Sequence, residues 1–268
     1  MFITIDEPYA MTDAGSRPNN EDSVFPEPEG VTEQNRLFLV CDGVGGAERG
    51  EVASALACES IDSYFNAFLE NKEATPDFVK KAVSYTESCF DTYLSTHPEA
   101  QGMATTLALL YLGKNGATLA HIGDSRIYQF RRGEVVYQTE DHSLVNAYIK
   151  LGRITPAEAA THPQRNVILR AIQGSKQPVE AEVVTLSDIL PGDYFFLCTD
   201  GVLQECPTEV LGEIFATSTS AMEIKIRIAE RCAGHTRDNF SFYLVPVRNV
   251  KIADTPARGI LSFFYSLI

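Results

Sequence analysis

Residues 105–138 read TTLALLYLGKNGATLAHIGDSRIYQFRRGEVVYQ. Short β-prone runs at 105–112, 117–122, 127–130 and 135–138 are separated by turns that contain glycine. Lys114-Asn115-Gly116 is an Asn-Gly hairpin signal, and Arg132-Gly133 marks a further turn. The stretch therefore predicts a run of antiparallel strands. Upstream, Leu37-Phe38-Leu39-Val40-Cys41 is an apolar run ending in Asp42-Gly43, the pattern of a buried strand entering a turn. Val52, Leu56, Ile61, Tyr64, Phe65 and Phe68 recur at helical spacing and predict a helix over 52–69. A second helix starts at Thr75-Pro76, with Thr as cap and Pro at the first helical position. Val79, Val83, Phe90 and Leu94 supply its apolar face. Downstream, 139–178 is polar with two short helical pieces. Strands follow at 182–185 and 194–198, helices at 208–216 and 220–233, and a last strand at 240–247. Helices, then antiparallel strands, then helices and a strand indicate an α+β layer architecture, not an alternating parallel sheet. With no internal repeat and no Gly/Ser- or Pro-rich linker, the expectation is one domain over 1–250, followed by an apolar tail at 251–268.

The 268 residues are 44% hydrophobic and 22% charged, which suits a chain with a sizeable core and excludes a disordered or collagenous one. The net charge of −14 repels nucleic acid and anionic lipid at long range, so general nucleic-acid binding is not expected. That acidity fits either plain solubility or cation binding. The six cysteines are scattered without a C-x-x-C pair and read as small core residues of a reducing compartment. The N-terminus has no signal-peptide pattern, and no apolar run approaches the ~20 residues of a bilayer span. A cytoplasmic monomer without stable membrane insertion is the expectation. The final segment, Gly259-Ile260-Leu261-Ser262-Phe263-Phe264-Tyr265-Ser266-Leu267-Ile268, is too short to cross a membrane and is expected to dock on the domain or on a partner.

Five acidic sites lie where a fold has little structural need of them. Asp42 closes one apolar strand before Gly43-Val44-Gly45-Gly46, and Asp200 closes another before Gly201. Asp124 follows a strand within His121-Ile122-Gly123-Asp124-Ser125-Arg126. Asp238 precedes the last strand, and Glu21-Asp22 follow Arg17-Pro18-Asn19-Asn20. Any single one of them can simply hold a turn. Brought together they would repel and need protons or cations, and no basic cluster of matching size is visible. Hard divalent cations such as Mg²⁺ and Mn²⁺ prefer such oxygen ligands, which points to a metal-assisted hydrolase. Gly43-Val44-Gly45-Gly46 is not a nucleotide P-loop, because no Gly-Lys-Ser/Thr follows. Ser125 has no neighbouring base and is not read as a nucleophile, and His121 and His235 are read as structural.

These residues also carry a resemblance. The chain resembles the metal-dependent protein serine/threonine phosphatases of type 2C in their compact bacterial form. Eight segments match in the family's order: Asp13-Ala14-Gly15-Ser16-Arg17-Pro18-Asn19-Asn20-Glu21-Asp22-Ser23, Val40-Cys41-Asp42-Gly43-Val44-Gly45-Gly46, Gly102-Met103-Ala104-Thr105-Thr106-Leu107, His121-Ile122-Gly123-Asp124-Ser125-Arg126, Glu140-Asp141-His142-Ser143-Leu144-Val145, His162-Pro163-Gln164-Arg165-Asn166-Val167, Cys198-Thr199-Asp200-Gly201, and Arg237-Asp238-Asn239-Phe240. The resemblance implies an αββα sandwich, two central antiparallel sheets flanked by helix pairs, with a metal site in a cleft at one end. It implies Mn²⁺ or Mg²⁺, two ions with a third more weakly held. Asp42 would bridge two ions and Gly43 would offer its carbonyl. Asp200 and Asp238 would hold one ion, Glu21 and Asp22 would support the other, and Asp124 would help hold the third. Arg17 would receive the substrate phosphate, to which its planar fork is suited.

The implied reaction is hydrolysis of phosphoserine and phosphothreonine in proteins, by in-line attack of a hydroxide bridging two ions about 3.5–4 Å apart. The implied partners are phosphoprotein substrates of a cognate Ser/Thr kinase, in bacterial signalling. Residues 141–178 correspond to the family's flap, which either shapes access for a phosphopeptide, with Ser143 near the third ion, or is only a surface loop. Its Arg153, Arg165 and Arg170 would meet phosphate or acidic peptide, or pair with the domain's own carboxylates. Val44 stands where many eukaryotic members have a histidine, so the leaving-group acid is open, with a metal-bound water ahead of His142 and His162. Ala104 replaces a common glycine and reads as a packing change. Two further readings stand beside the enzyme: a catalytically silent member that binds phosphoproteins or another partner, and a domain tuned to regulation within a larger kinase-containing system.

Overall fold

The side chains of one strand sort themselves into two cores. In β4 (Leu37–Val44), Leu37, Leu39 and Cys41 point into one apolar cluster, while Phe38 and Val40 point into another. This is the period-two alternation of a strand buried on both faces. The computed structural model describes residues 1–44, 49–69 and 73–251.

The first sheet has the order β10 (Glu182–Leu186), β7 (Ala117–Ile122), β6 (Leu107–Leu112), β4 and β3 (Asp22–Phe25), with β5 (Ala104–Thr105) paired to the end of β4. The second has the order β1 (Phe2–Ile5), β12 (Phe240–Lys251), β11 (Asp193–Cys198), β8 (Arg126–Arg131) and β9 (Glu134–Gln138), with β2 (Tyr9–Asp13) also against β12. Every pairing is antiparallel. Between the sheets lies a core that includes Phe38, Val40, Leu110, Phe195, Leu197 and Tyr243. On the outer face of the first sheet pack α1 (Gly50–Phe68) and α2 (Pro76–Thr96), through Ala57, Ile61, Phe65, Val79, Val83 and Phe90. On the outer face of the second pack α5 (Asp200–Glu205), α6 (Thr208–Thr217) and α7 (Ala221–Cys232), through Val202, Leu211, Phe215 and Ile228. Three apolar layers between four layers of secondary structure make the expected αββα sandwich. Thr75 caps α2 as its sequence position indicates, accepting from the Phe78 N–H. Two short helices, α3 (Leu144–Lys150) and α4 (Pro156–Ala160), lie in the polar stretch 139–178.

Several local features differ from the sequence expectation. Three strands, β1 to β3, precede residue 37, where no strand was expected; each is four or five residues long, and Ile3/Ile5 and Asp22/Val24 give only two buried positions apiece. β4 does not end at Cys41: Asp42 and Gly43 lie within the strand, because β3 continues the ladder on one side to Asp22↔Asp42 and β5 pairs with Gly43 on the other. Asp200 does not close β11 but opens α5, one residue after Thr199. The run 105–112 is broken at Thr106, whose backbone N–H goes to the Asp42 carbonyl, and Thr105 bridges to Ile172. β12 extends four residues beyond 247 to Lys251. All six cysteines are free, and five are buried with Cys89 half-buried. Gly45, Gly46 and the apolar tail from residue 252 onward fall outside the described residues. No helix among the described residues is long and apolar enough to cross a membrane.

Phe38 is fully buried in the inter-sheet core and meets Tyr243 edge-on at a ring separation of 5.3 Å. Phe38→Ala leaves a cavity between two sheets that cannot collapse independently. It is expected to cost about 3–5 kcal/mol, read as a lowered urea midpoint with an unchanged slope.

Candidate active site

The sheets bring the acidic residues to one end of the sandwich. Asp22 and Asp42 are register partners on β3 and β4. Asp200 opens α5, Asp238 lies just ahead of β12, and Asp124 sits in the turn between β7 and β8. Asp42 is crowded by the others: burial pushes its carboxyl well above the usual range, and Asp22, Asp200, Asp124 and Asp238 push it further. Burial is also the largest cause for the rest. It carries Asp22 to about 7 with help from Asp200 and Asp238, against hydrogen bonds from Ser241 and Thr199. It carries Asp124 to about 7, aided by Asp200 and Asp141, and Asp200 to about 6, aided by Asp238 and Asp141. Glu21 is raised by burial and by Glu51, with Arg17 opposing.

The carboxylates are held by groups from distant parts of the chain. The Asp42 N–H donates to Thr106 Oγ1 at 2.9 Å, and the Asp42 carbonyl accepts from the Thr106 N–H and Thr105 Oγ1 at 2.9 Å each. Thr199 Oγ1 donates to Asp22 Oδ2 at 2.9 Å. Asn239 ties three loops together: its side-chain amide donates to the carbonyls of Ala14 and Asn19, and its oxygen accepts from the Glu21 N–H. Two glycines are needed for close approach. A Cβ on Gly43 would lie 2.1 Å from the Gly50 carbonyl oxygen, and one on Gly201 would lie 1.9 Å from that of Asn239. The strand end carrying Asp42 therefore abuts the start of α1, and the start of α5 abuts the approach to β12.

The donor set fits hard divalent cations. It is all oxygen, Asp22, Asp42, Asp124 and Asp200 are buried and crowded enough to resist ionisation, and Asp22 Oδ1 is buried with no hydrogen-bond partner among the described residues. Above it opens a cleft of about 1030 Å³ lined by residues that include Arg17, Asp124, Asp141, Ser143, Asp200 and Asp238. Arg17 forks onto Asp238, with Nη2 to Oδ2 and Nε to Oδ1 both at 3.1 Å. One wall comes from 143–166, where Ser143 caps α3 by accepting from the Asn146 N–H. Arg165 lines the cleft, Arg153 lies over the Tyr148 ring, and Arg170 stands 3.3 Å from His142 Nε2. None of these three forms an ion pair among the described residues.

Sequence reasoning missed Asp141. It takes a bidentate bond from Arg126 at 2.6 and 2.7 Å and raises both Asp124 and Asp200. Its neighbours His142 and Ser143 gave no hint that Arg126, fifteen residues earlier, would reach back to it. Neither histidine considered as the leaving-group acid lines the cleft. His142 is committed elsewhere: Nδ1 accepts from the Gly123 N–H at 3.2 Å, the His142 backbone N–H donates to the Gly123 carbonyl at 2.8 Å, and the ring stacks on His121 at 4.4 Å. Burial, with His121 and Arg170 adding to it, lowers its pKa to about 4. His121, His142 and Glu182 bring possible ligand atoms within 4.8 Å, but they do not form a good metal site. The rings are 16° from parallel and stacked, so one ion cannot lie in both ring planes. Because His142 Nδ1 accepts, the neutral ring carries its proton on Nε2, the atom facing Glu182. His142 thus ties the 141–178 segment to the Gly123-Asp124 turn.

A family model described as Protein phosphatase 2C matches residues 15–233. The serine/threonine protein phosphatase PstP of Mycobacterium tuberculosis is 37% identical over 208 residues, 76% of this chain and 38% of that protein, so this chain spans well under half of that relative's length. Protein phosphatase PhpP of Streptococcus pneumoniae is 32% identical over 244 residues, 88% of this chain and 95% of that one. Among solved structures, the catalytic domain of PstP in complex with two manganese ions is similar at a TM-score of 0.76 and 31% identity, covering 90% of this chain and 98% of that one.

Asp22, Asp124 and Asp200 titrate higher in the folded chain than the ~3.9 of an unfolded aspartate. Between pH ~4 and ~7 the metal-stripped folded chain therefore binds more protons than the unfolded chain, and its stability falls as pH rises through that window. Thermal melts of metal-stripped protein should decline across it. Mn²⁺ should raise the melting temperature at pH 7 by ~2–4 °C for each kcal/mol of binding. Asp42→Asn should melt higher than wild type without metal and lose most of the Mn²⁺ response.

Proposed function

We propose that this chain, which belongs to the protein phosphatase 2C family, hydrolyses phosphoserine and phosphothreonine in proteins, with Mn²⁺ or Mg²⁺ held in the acidic cleft. One observation carries the reading: five aspartates from five separate segments crowd together, and one buried carboxylate oxygen is left without a partner. On this reading Asp42 would serve two ions, Asp200 and Asp238 would hold one of them, Glu21 and Asp22 would support the other, the Gly43 carbonyl would contribute, and Asp124 would help hold a third. Bound there, a pair of divalent cations lowers the pKa of water and offsets charge on the phosphoryl oxygens.

The chain's own groups supply position and selectivity. Arg17 is exposed at the cleft and already holds a planar carboxylate, so the same fork is suited to phosphoryl oxygens in its place. The segment 141–178 is the flap in this reading. Its Val145, Ile149 and Ala159 give an apolar wall beside Arg165 for the peptide around the phosphorylated residue, with Ser143 near the third ion. His142 moves no proton to the leaving group, since its ring is bonded away from the cleft. The natural substrates would be proteins phosphorylated by a cognate Ser/Thr kinase.

The decisive test is phosphate release from a phosphothreonine peptide by metal-stripped protein, with Mn²⁺ returned. Wild type should recover activity in proportion to Mn²⁺, and Asp42→Asn and Asp238→Asn should lose ~10²–10³-fold in kcat. Arg17→Ala should chiefly raise KM. Folded protein that takes up Mn²⁺ yet releases no phosphate would overturn the reading and favour a silent, phosphoprotein-binding member.

A further inference from the structure

Thr106 stands between β5 and β6, and both branches of its buried side chain meet the turn between β7 and β8. The hydroxyl lies 2.6 Å from the buried Ser125 Oγ. The methyl lies over Gly123, where an added Cβ would come within 2.6 Å of Thr106 Cγ2. Gly123 has a φ of +95°, so its missing side chain serves the turn and the close approach together. Asp124 is the residue between these two contacts. The same Thr106 hydroxyl accepts from the Asp42 N–H at 2.9 Å. One β-branched side chain therefore touches the backbone of the central aspartate and both chain neighbours of the outlying one.

The two aspartates depend on this contact to different degrees. Asp42 is also held by β3 at Asp22↔Asp42 and by β5, which pairs with Gly43 beside it. Its carbonyl accepts from Thr105 Oγ1 and the Thr106 N–H as well. Asp124 lies outside the strand ladders, in a turn held on one side by His142 through Gly123 and on the other by the Thr106 and Ser125 hydroxyls. Ser125 Oγ has no other hydrogen-bond partner among the described residues.

We propose that Thr106 and Ser125 are positioning residues for cation binding: their hydroxyl pair fixes the Asp124 carboxylate against Asp42, and so sets the affinity of the ion that Asp124 helps to hold. This rests on the reading of the cleft as a site for several cations. Neither hydroxyl is a ligand on that reading; both act through the aspartates. In the order Asp42 N–H, Thr106 Oγ1, Ser125 Oγ, the Thr106 hydroxyl accepts from one group and donates to the next, and hydrogen bonds in such a chain strengthen one another. Loss of a group that orients a metal ligand weakens the metal by roughly 10–100-fold.

The test titrates Mn²⁺ into the metal-stripped full chain by isothermal calorimetry, with free Mn²⁺ followed by electron paramagnetic resonance. Asp124→Asn marks the ion that Asp124 serves. In Ser125→Ala the Asp42 N–H keeps its acceptor and only the joint to the turn is lost. That variant should weaken the Asp124-dependent ion roughly 10–100-fold and leave the tighter ions as in wild type. Thr106→Val keeps the methyl but removes the hydroxyl, so it should weaken the same ion and the ions at Asp42 too. Thr106→Ser, which keeps the hydroxyl, should hold all of them better than Thr106→Val does. A merely structural role would lower the metal-free melting temperature and weaken every ion alike. That result in Ser125→Ala, or wild-type affinity at every site, would overturn the proposal and leave the reading of the cleft standing. Folded wild type that takes up no Mn²⁺ would overturn both. An Asp124→Asn chain that titrates as wild type would remove the third ion, and this proposal with it.

Discussion

Mutual repulsion among buried carboxylates is the constraint around which the rest of this molecule is arranged. Asp22 and Asp42 face each other across β3 and β4. At roughly 5 Å, the spacing of directly opposed side chains, two unit charges repel by about 3 kcal/mol at an effective dielectric of ~20. Asp200, Asp238 and Asp124 add to the same field. A few such terms equal the whole ~5–15 kcal/mol by which a domain is stable. The cluster therefore exists only with protons or cations in it. The three apolar layers must be strong enough to hold it open between times.

Rigidity at this end comes from short polar ties, not from bulk. Thr106 bonds Asp42 from both its backbone and its hydroxyl and also meets the Ser125 hydroxyl at 2.6 Å, so it links β4 to the turn carrying Asp124. The other side of that turn is clasped by His142 through Gly123. The His142 carbonyl in turn accepts from the Leu169 N–H at 2.7 Å, on the returning arm of the 141–178 segment. That segment is thus joined to Gly123, adjacent to Asp124, by hydrogen bonds through His142. Asp42 is tied to the same segment by another route: Thr105, whose hydroxyl donates to the Asp42 carbonyl, pairs with Ile172. Both acidic positions are therefore joined to the 141–178 segment, Asp42 through Thr105 within the sheet and Asp124 through Gly123 in the turn.

Sequence periodicity reported the elements that bury a long, regular face. The helices α1, α2, α6 and α7 and the meander from β6 to β9 lie within a few residues of where their spacing puts them. It failed where tertiary pairing overrides local pattern. β1 to β3 are too short to announce themselves. Asp42 is an in-strand residue because two neighbours hold it there, although Asp-Gly by itself reads as a turn. Asp42, Asp124 and Asp200 were visible beside a glycine, and the resemblance supplied their meeting with Asp22 and Asp238. Asn239, Thr199 and Asp141 were not legible as anchors, because their partners lie as many as 225 positions away in the chain. The apolar ending at 260–268 was conspicuous in the sequence, and it lies outside the described residues.

The net charge of −14 poses an apparent obstacle to a substrate that carries phosphate. Screening limits it. At physiological ionic strength exposed charges fade over ~8 Å, so a ligand in the cleft feels chiefly what lines the cleft. There Arg17, Arg126, Arg165 and Arg237 stand among the aspartates, although Arg126 is spent on Asp141 and Arg17 on Asp238. Arg126 is mostly buried and doubly bonded, so it stays with Asp141 and offsets one carboxylate permanently. Arg17 is more than half exposed, and an exposed pair is worth little, about 0–1 kcal/mol. On the proposed reading, exchanging Asp238 for a phosphoryl group would therefore cost Arg17 almost nothing, and Asp238 would be left free to face a cation. Of the two ion pairs described in the cleft, the weaker would then be the one to give way to substrate.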